Sequence, residues 1–387
     1  MIGRYVCVCI LGGLSSLVVA DDSLPAFPGA EGFGATTPGG RGGRVVEVST
    51  LDDDGPGSLR SVIDLEGART VVFRVGGTIE LSSPLQIKHP FITIAGQTAP
   101  GGGITLRNGP KNLYAPLQIK THDVVLRYIR SRPGPSGVPP AEQDGTNVDA
   151  LTIADLQSDV HHVVVDHCSF SWSVDEVVTA TGTVDLVNNV MLVPRTIAVV
   201  IDGELGPCHV NLVGNHVLAP NGDGIVYGAR VLGHSPVSLF VQGNRGPFRT
   251  DDAQPESLFV APQNDSRNRL VAQRAPAPAI TTTSAEDATA QVLTTAGCTV
   301  PIRDAVDERV VADVIARRTR IISDPAEVGG WPNLPSAQPA VDSDHDGMPD
   351  EWEHRHGLAA DDPSDATRDA DGDGYTNVEA FLNQLVD

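Results

Sequence analysis

An acidic stretch follows a strand-like run near the middle of the chain. Residues 163–176 read VVVDHCSFSWSVDE, which begins with β-branched residues typical of a buried strand and ends with Asp175 and Glu176. Asp149 adds a carboxylate just upstream, in the strand-like run VDALTI. A hard cation such as Ca²⁺ takes about six to eight oxygen ligands, which acids on neighbouring strands can supply. Two interpretations stay open: a calcium site at Asp149, Asp175 and Glu176, or acids that end strands and face water.

The most specific local pattern lies near the C-terminus. Residues 342–353 read DSDHDGMPDEWE, with acids and a glycine at the spacing of a twelve-residue calcium loop. The candidate ligands of this first loop are Asp342, Asp344, Asp346, Asp350 and Glu353. A second copy departs from the pattern at its last position, Ala380, and its candidate ligands are Asp369, Asp371, Asp373, Asn377 and Glu379. The alternative is an acidic disordered tail, but two copies with correctly placed glycines favour structural calcium binding.

Composition limits the classes of fold and partner. The 387 residues include 40 Gly and 29 Pro but only 4% aromatic residues, which suits a turn-rich β protein better than a helical bundle. The net charge of −22 argues against a nucleic-acid partner, because phosphates would be repelled. An acidic protein can still bind an acidic polymer if divalent cations or a local arginine cluster carry the contact.

Short apolar runs recur between turn residues from about residue 45 to residue 244. They are 71–75, 91–94, 104–106, 124–129, 163–165, 184–187, 210–213 and 237–241. Several begin about 20 to 27 residues apart without a helical pattern between them, which predicts an all-β solenoid of stacked parallel strands, the parallel β-helix. Asn188-Asn189, Asn215 and Asn244 follow three runs, where an amide can bond to the next layer. A β-sandwich is the competing fold, but Asn-Gly hairpin turns are scarce.

Four segments are predicted along the chain. Residues 1–20 resemble a signal peptide, which predicts a secreted or periplasmic protein without a membrane partner after cleavage. Residues 21–274 form the predicted β-helix, 275–340 a linker with packing helices, and 341–387 the calcium-loop tail. Ser284 and Asp304 are the predicted N-caps of two helices. We expect the mature protein to be a monomer.

His161, His162 and His167 form a further group of side chains that could bind a metal. A structural zinc site needs a closed tetrahedral set of ligands, and no cysteine pair accompanies these histidines. His161 and His162 would also point to opposite faces if they lay on one strand. The sequence therefore argues against zinc at this position.

Several longer motifs extend over most of the chain. They are FPGAEGFG (27–34), GSLRSVI (57–63), VVFRVGGTIEL (71–81), ITIAGQTAPGGGITL (92–106), VVLRYIRSRPG (124–134), VDALTI (148–153), DHCSFSWSVDE (166–176) and RDAVDERVVADV (303–314). With these motifs the chain resembles the pectate lyases of polysaccharide lyase family 1, in the branch that opens with FPGAEGFG. GMPDEWE (347–353) and DGDGYTNVEAFLN (371–383) resemble the EF-hand or thrombospondin-type-3 calcium loops often fused to such enzymes.

The resemblance implies a right-handed parallel β-helix and calcium-assisted β-elimination of polygalacturonate. In that reaction calcium bridges protein carboxylates to the uronate carboxylate and acidifies the C5 proton, an arginine removes this proton, and the C4 glycosidic oxygen leaves. By position, the resemblance assigns calcium binding to Asp149 and Asp175, with Glu176 beside them. The candidates for pairing with substrate carboxylates, rather than serving as plain surface residues, are Arg127, Arg130 and Arg132.

One family motif has no counterpart in this chain. The Arg-Asn-Pro segment that carries the catalytic arginine is absent. Arg195, in VPR before a strand-like run, echoes the pattern and is the first candidate for the base, and Arg230, in YGAR, is the second. The leading hypothesis is a calcium-dependent lyase acting on an acidic polysaccharide. The alternatives are a non-catalytic polysaccharide-binding β-helix that has lost this segment, and a glycoside hydrolase, which the adjacent acids Asp175 and Glu176 disfavour because they would face opposite sides of a strand.

Overall fold

The computed structural model describes residues 24–135, 148–154, 159–173, 178–180, 182–192, 197–202, 207–219, 226–232, 236–276, 278, 280–318 and 322–386. The predicted signal peptide at 1–20 lies outside these residues, so it stays a prediction. Within the described ranges, no helix is long and apolar enough to cross a membrane.

Short strands and a few short helices make up the regular structure. The strands are β1 (Arg44–Val48), β2 (Arg69–Phe73), β3 (Gly77–Leu81), β4 (Leu85–Ile87), β5 (Ile92–Ala95), β6 (Ile104–Asn108), β7 (Leu117–Ile119), β8 (Val124–Arg127), β9 (Ile129–Ser131), β10 (Leu151–Ile153), β11 (Val163–Asp166), β12 (Ser169–Phe170), β13 (Val178–Ala180), β14 (Thr183–Val187), β15 (Val190–Leu192), β16 (Ile197–Asp202), β17 (Cys208–Val213), β18 (His216–Leu218), β19 (Tyr227–Leu232) and β20 (Val237–Gln242). The helices are α1 (Leu59–Ile63), α2 (Ala285–Thr295), α3 (Ala305–Ile315), α4 (Asp350–His356) and α5 (Asn377–Gln384). Each apolar run predicted from the sequence overlaps a strand.

The strands stack in parallel, and after β1 each pairs with a strand three places away in the chain. Sheet A has the order β1-β2-β5-β8-β11, sheet B β12-β9-β6-β3, and sheet C β13-β10-β7-β4. The later strands continue the repeat as sheet D (β14-β17-β20), sheet E (β15-β18) and sheet F (β16-β19). Pairing within all six sheets is parallel. The predicted stack of parallel strands is therefore confirmed, and the antiparallel β-sandwich is excluded.

Alternation of side chains along each strand builds the core of this stack. In β4, Leu85 and Ile87 are buried on one side while Gln86 is partly exposed on the other, and β7 repeats this with Leu117 and Ile119. Successive strand residues point to opposite faces, so the aliphatic side chains of every strand meet inside. One core is shared by sheets A, B and C. A second core lies within the later strands.

A ladder of buried asparagines follows the strands of sheet D. Asn215 Oδ1 accepts hydrogen bonds from Asn189 Nδ2 at 2.9 Å and from the Asn189 backbone N–H at 3.0 Å. Asn244 Oδ1 accepts in the same way from Asn215, at 2.8 and 3.0 Å. Each ladder position satisfies polar groups that would otherwise be buried without partners. The predicted layer-to-layer role of Asn189, Asn215 and Asn244 is confirmed.

The N-terminal residues 24–43, here called the strap, cross the outer face of sheet A. Phe27 packs with Val125 and Val164 of this sheet. The glycines of the strap permit close approach to backbone: a Cβ added at Gly34 would lie 2.4 Å from the Val163 carbonyl oxygen. The glycine-rich lead-in therefore serves packing.

The C-terminal tail, residues 341–386, covers the neighbouring part of sheet A. Met348, Trp352 and Phe381 form a small core with Ala95 of β5, against which Val45 of β1 also packs. The tail is thus docked on the stack rather than extended into solvent.

The two predicted helices and their caps are confirmed. The Ser284 side chain accepts from the Asp287 backbone N–H and begins α2, and Asp304 accepts from the N–H groups of Val306 and Asp307 and begins α3. The packing core of these helices consists of Val292, Ala296 and Val314 against Val190, Leu192 and Leu218 of sheet E. The helices therefore cover sheet E, whereas the strap and the tail cover sheet A.

Candidate functional site

A row of polar side chains runs across the outward side of sheet C. Gln86 on β4 and Gln118 on β7 are register neighbours, and Gln86 Nε2 donates to Gln118 Oε1 at 2.8 Å. Thr152 on β10 and Thr179 on β13 continue the same register position. All four side chains are partly exposed. Because the row crosses successive strands, it can contact successive units of an extended polymer.

Two lysines extend this row. Lys88 and Lys120 each close the tetrapeptide LQIK, at 85–88 and 117–120, and both reach solvent, Lys88 more fully. The Lys120 N–H donates to the Ile87 carbonyl at 2.9 Å, so the two tetrapeptides stay in register past the strand ends. Neither lysine was predicted from the sequence as a site residue. The repeat of LQIK at a separation of 32 residues is the signal that could have identified them.

Asp149 lies beside this row, directly before β10. Its carboxylate is buried, and Oδ2 accepts a hydrogen bond from Thr152 Oγ1 at 3.2 Å. Leu151, two residues after Asp149, is the register partner of Val178, which comes two residues after Glu176 in the sequence. Asp175 and Glu176 themselves lie outside the described residues. The calcium site predicted from these three acids therefore stays a prediction.

Of the two candidates for the catalytic base, Arg230 lies within the described residues. Arg230 lies on β19 between the buried Ala229 and Val231, so its side chain points to the other face of the strand, where it is partly exposed. Its register partner is Val200 of β16, in sheet F. Arg195 lies outside the described residues.

Arg127 is engaged within the protein. Its Nε donates to Asp166 Oδ2 at 2.7 Å, and its guanidinium lies 3.9 Å from the centre of the Phe27 ring of the strap. Burial alone would raise the pKa of Asp166, but His167 and Arg127 lower it below its ordinary value. Arg127 is therefore a buried anchor for the strap, which counts against the prediction that it pairs with substrate.

Arg130 and Arg132 correct the substrate-binding prediction more strongly. Both side chains are fully buried. Arg132 bonds to both oxygens of Asp304, at 2.5 and 3.0 Å, and to Asp307 at 2.7 Å. Arg130 Nε lies 3.4 Å from Asp304, and its Nη1 donates to the Gly102 carbonyl at 2.8 Å. These guanidiniums fasten the start of α3 to sheet B, and a polymer in solvent cannot reach them.

The tail contains a cluster of carboxylates made of two overlapping groups, each of which can hold a cation. Carboxylate oxygens of Asp342, Asp344 and Asp346 lie within 4.8 Å of one another, and so do those of Asp346, Glu353 and Asp365. All except Asp344 are buried. Arg74 Nη1 lies 3.5 Å from Asp342 at the edge of the cluster.

The electrostatics of this tail cluster call for a further positive charge. Both oxygens of Asp344 and of Glu353 lack a hydrogen-bond partner among the described residues. Burial, followed by repulsion from Asp344 and Glu353, raises the pKa of Asp346 to about 8. Burial and the charge of Asp344 raise the pKa of Glu353 to about 7. Unpaired buried carboxylates are costly, and an all-oxygen ligand set suits Ca²⁺, so these residues fit the predicted calcium ion.

The second loop gathers a smaller and more open set of acids. Oxygens of Asp369, Asp371 and Asp373 lie within 4.8 Å of one another on the surface. Asp369 already accepts from the N–H groups of Gly372 and Gly374, at 2.7 and 2.9 Å, which shapes the loop. These three residues stay candidate calcium ligands.

Three predicted ligands have other partners in the structure. Asp350 accepts from the backbone N–H and the hydroxyl of Ser343, both at 2.7 Å. Asn377 spans the loop through Ala370 and Asp365, and Glu379 receives Arg41 Nε on both oxygens, at 2.9 and 3.0 Å. These contacts count against Asp350, Asn377 and Glu379 as calcium ligands, and their assignment stays a prediction.

Asp365 was not predicted although it joins the tail cluster. It lies between the two loops, outside the twelve-residue pattern, and its Oδ2 also accepts from the Ala359 N–H at 3.1 Å. Its participation depends on how the two loops pack together, for which loop spacing gives no signal.

Comparison with known proteins gives relatives over nearly the whole chain. The probable pectate lyase C of Aspergillus flavus is 31% identical over an alignment of 427 positions, gaps included, which covers 96% of each chain. The probable pectate lyase C of Neosartorya fischeri is 30% identical over 432 residues, or 97% of each chain. Pectate lyase 5 of Ambrosia artemisiifolia is 34% identical over 163 residues, which cover 39% of this chain and 38% of that protein. No protein-family model matches the chain.

Among solved structures, the 1.7 Å crystal structure of Jun a 1, the major allergen from cedar pollen, aligns with a TM-score of 0.43. The identity is 17%, and the alignment covers 70% of this chain and 92% of that one. This likeness is too distant to carry the fold assignment, which rests on the strand pairing.

Proposed function

Because the chain belongs to the pectate lyase family, we propose that it is a secreted or periplasmic, calcium-dependent lyase that cleaves pectate or a related polyuronate by β-elimination. The stacked sheets are, in this proposal, the faces of a right-handed parallel β-helix, and the outward side of sheet C carries the substrate. The protein acts as a monomer.

The observation that carries the proposal is the polar row on sheet C. A polyuronate carries a carboxylate on every sugar, and the protein as a whole has a net charge of −22. Binding therefore needs local positive charge, which Lys88 and Lys120 supply just past the ends of the neighbouring strands β4 and β7, near Gln86 and Gln118. The amides offer hydrogen bonds to sugar hydroxyls.

Asp149 is the described member of the proposed calcium site. Its buried carboxylate stands beside the row, and Asp175 and Glu176, which lie outside the described residues, are its proposed partners. When bound there, calcium would supply a Lewis acid that holds the uronate carboxylate and acidifies the proton at C5. The contribution of Asp149 is to hold a negative charge at a fixed point beside the polymer.

The proposed base is an arginine that can give up its charge. Guanidinium is normally protonated, so the site must disfavour the charged form by burial. Arg230 lies on the outward face of β19 in sheet F, partly exposed, which supports Arg230 as the arginine that a bound polymer can reach. Arg195 is the alternative by its sequence context.

A non-catalytic polysaccharide-binding protein is the second candidate function. The missing Arg-Asn-Pro segment favours it, because the same sheet C row would bind a polyuronate without a base to remove the proton.

The deciding experiment is ultraviolet absorbance of the unsaturated product during incubation with polygalacturonate, with Ca²⁺ and with a chelator. We expect a calcium-dependent rise that is lost in Asp149→Asn and in Arg230→Ala but kept in Arg107→Ala, a matched change on the outer side of sheet B. Lys88→Ala and Lys120→Ala should raise KM with little change in kcat. A flat trace from folded protein that still binds polygalacturonate would establish the binding module instead.

A further inference from the structure

Two turns that lead into sheet A bring together three histidines and a buried acid. His122 and Asp123 come directly before β8, and His161 and His162 come directly before β11. The Asp123 N–H donates to the His161 carbonyl at 3.2 Å, so the turns lie one strand layer apart. Asp123 and His162 have φ angles of 54° and 49°, which belong to turns and not to strands. The alternating-face argument against a metal at His161 and His162 is therefore wrong for this segment.

The side chains of these turns converge. The rings of His122 and His161 stack at 4.7 Å between centroids with an angle of 7° between their planes. Ligand atoms of His122, Asp123 and His161 all lie within 4.8 Å of one another. His162 adds a ring at 4.6 Å from that of His161.

Asp123 lies within bonding distance of two imidazoles. Its Oδ2 lies 2.7 Å from His122 Nδ1, and its Oδ1 accepts from Thr37 Oγ1 of the strap at 3.0 Å. His162 Nδ1 lies 3.3 Å from the same carboxylate. A carboxylate oxygen and an imidazole nitrogen at such a separation can bind one ion together, in place of the hydrogen bond between them. The buried Asp123 can thus share an ion with His122, and His162 lies beside them.

The cluster is open to ions from solvent. The side chains of His122 and His161 are 31% and 41% exposed, while that of Asp123 is 8% exposed. The turn also borders a groove whose lining includes Asp159, His161, His162 and His209. Asp159 Oδ2 lies 3.5 Å from His161 Nε2, so another acid is at hand.

We propose that this turn cluster, defined as His122, Asp123 and His161, binds one divalent transition-metal ion of the zinc, copper or nickel class. Two imidazoles with one carboxylate suit these ions, whereas the all-oxygen tail cluster suits calcium. The ion would join two consecutive layers of the stack, and through Asp123 and Thr37 also the strap. The competing interpretation is an aromatic stack without an ion, in which Phe91 packs edge-on against His122 at 5.6 Å.

The test uses the full chain with its calcium loops saturated by excess Ca²⁺. Titration calorimetry with Zn²⁺ should show one site in the native protein, weakened at least about tenfold in His122→Ala and in His161→Ala. With Cu²⁺ as the probe, electron paramagnetic resonance should show coupling to imidazole nitrogens that is lost in the same variants. His89→Ala, which removes a histidine outside the cluster, should bind both ions as the native protein does.

Equal Zn²⁺ affinity in the native and variant proteins, or Cu²⁺ spectra without nitrogen coupling, would overturn the proposal in favour of the aromatic stack. Because His161 is partly exposed, His161→Gln offers a second, milder variant if either alanine variant unfolds. Binding should also weaken at acid pH, since imidazole must be neutral to act as a ligand. Pectate cleavage is not part of the readout, so the outcome is independent of the proposed function.

Discussion

Two groups of buried carboxylates in this protein have opposite electrostatic surroundings. At the start of α3, Asp304 and Asp307 lie against the guanidiniums of Arg130 and Arg132. In the tail cluster, five acids form two overlapping groups, and within the described ranges the cation that lies against them is Arg74, at the edge of the cluster. The first group carries its own neutralising cations within the fold. The second does not, and burial raises the pKa of two of its members, Asp346 and Glu353.

The pKa directions express this difference. Burial alone would raise the pKa of Asp304, but Arg132 and Arg130 lower it, so this carboxylate is held in its charged form. Burial raises the pKa of Asp346 to about 8 because no such partner compensates it. A closed ion-pair group is a structural joint, whereas an uncompensated acid cluster is a candidate cation site. Burial of charge alone does not distinguish them; the partners do.

The largest effect on stability is expected from removing a guanidinium that compensates Asp304 and Asp307. Arg132→Met removes one guanidinium and leaves Asp304 and Asp307 buried with less compensation, which should lower the free energy of unfolding by about 3–5 kcal/mol. Urea denaturation at constant Ca²⁺ measures the change. Arg107→Met is the control, because Arg107 and Glu80 form a pair with exposures of 37% and 47%, and it should cost less than about 1 kcal/mol. An equal loss in both variants would contradict the structural role of Arg132.

The next effect concerns which acids hold calcium in the tail. Asp365→Asn should weaken calcium binding at least about tenfold, or about 1.4 kcal/mol, because it removes a charge from the cluster. Asp350→Asn should leave the affinity close to that of the native protein, because Asp350 bonds to Ser343 and not to the cluster. Calorimetric titration with Ca²⁺ measures both. The opposite ranking would restore the twelve-residue loop pattern as the better guide to the ligands.

In these regions the sequence predicts local features but not long-range contacts, for a physical reason. Helix caps at Ser284 and Asp304, and the calcium-loop acids at Asp342 and Asp346, depend on neighbours within a few residues, so local spacing reveals them. The partners of Arg132 lie 172 and 175 residues further along the chain. A buried guanidinium on a strand is therefore indistinguishable in sequence from one that faces a substrate.

The layer-by-layer repeat of the stack decides which other features can be predicted from the sequence. The asparagine ladder and the apolar runs repeat once per layer of the stack, so the fold was readable from their period. The prediction that His161 and His162 alternate between two faces of a strand was wrong because the positive φ of His162 interrupts strand alternation, and a single residue carries no signal for it. Asp175, Glu176 and Arg195 stay predictions, since they lie outside the described residues.

A smaller effect is expected in how the calcium-induced rise in Tm depends on pH. The folded-state pKa values of Asp346 and Glu353, about 8 and 7, lie above their ordinary values because of burial. These raised values stabilise the fold at low pH, and that stabilisation is lost as pH rises through 7 to 8. Calcium favours the ionised acids, so the rise in Tm on adding Ca²⁺ should be larger at pH 8 than at pH 5. A difference of about 1 kcal/mol corresponds to roughly 2–4 °C.

Thermal unfolding with Ca²⁺ and with a chelator, at pH 5 and pH 8, measures this difference. The matched control is Glu353→Gln, which removes one titrating group and should reduce the pH dependence. A calcium effect that is the same at both pH values would mean that the tail acids are already compensated within the fold.

The smallest effect is expected at the joint between tail and strap. Glu379 belongs to the second loop by sequence, yet it binds Arg41 of the strap and caps α5 through Thr376. Glu379→Gln should therefore leave the number of bound calcium ions unchanged and lower the free energy of unfolding by about 1 kcal/mol, the scale of a partly exposed ion pair with a cap. Calorimetry and urea denaturation separate the two outcomes. Loss of a calcium ion in this variant would place Glu379 with the uncompensated acids of the tail, and the boundary between joint and binding site would then run through the second loop.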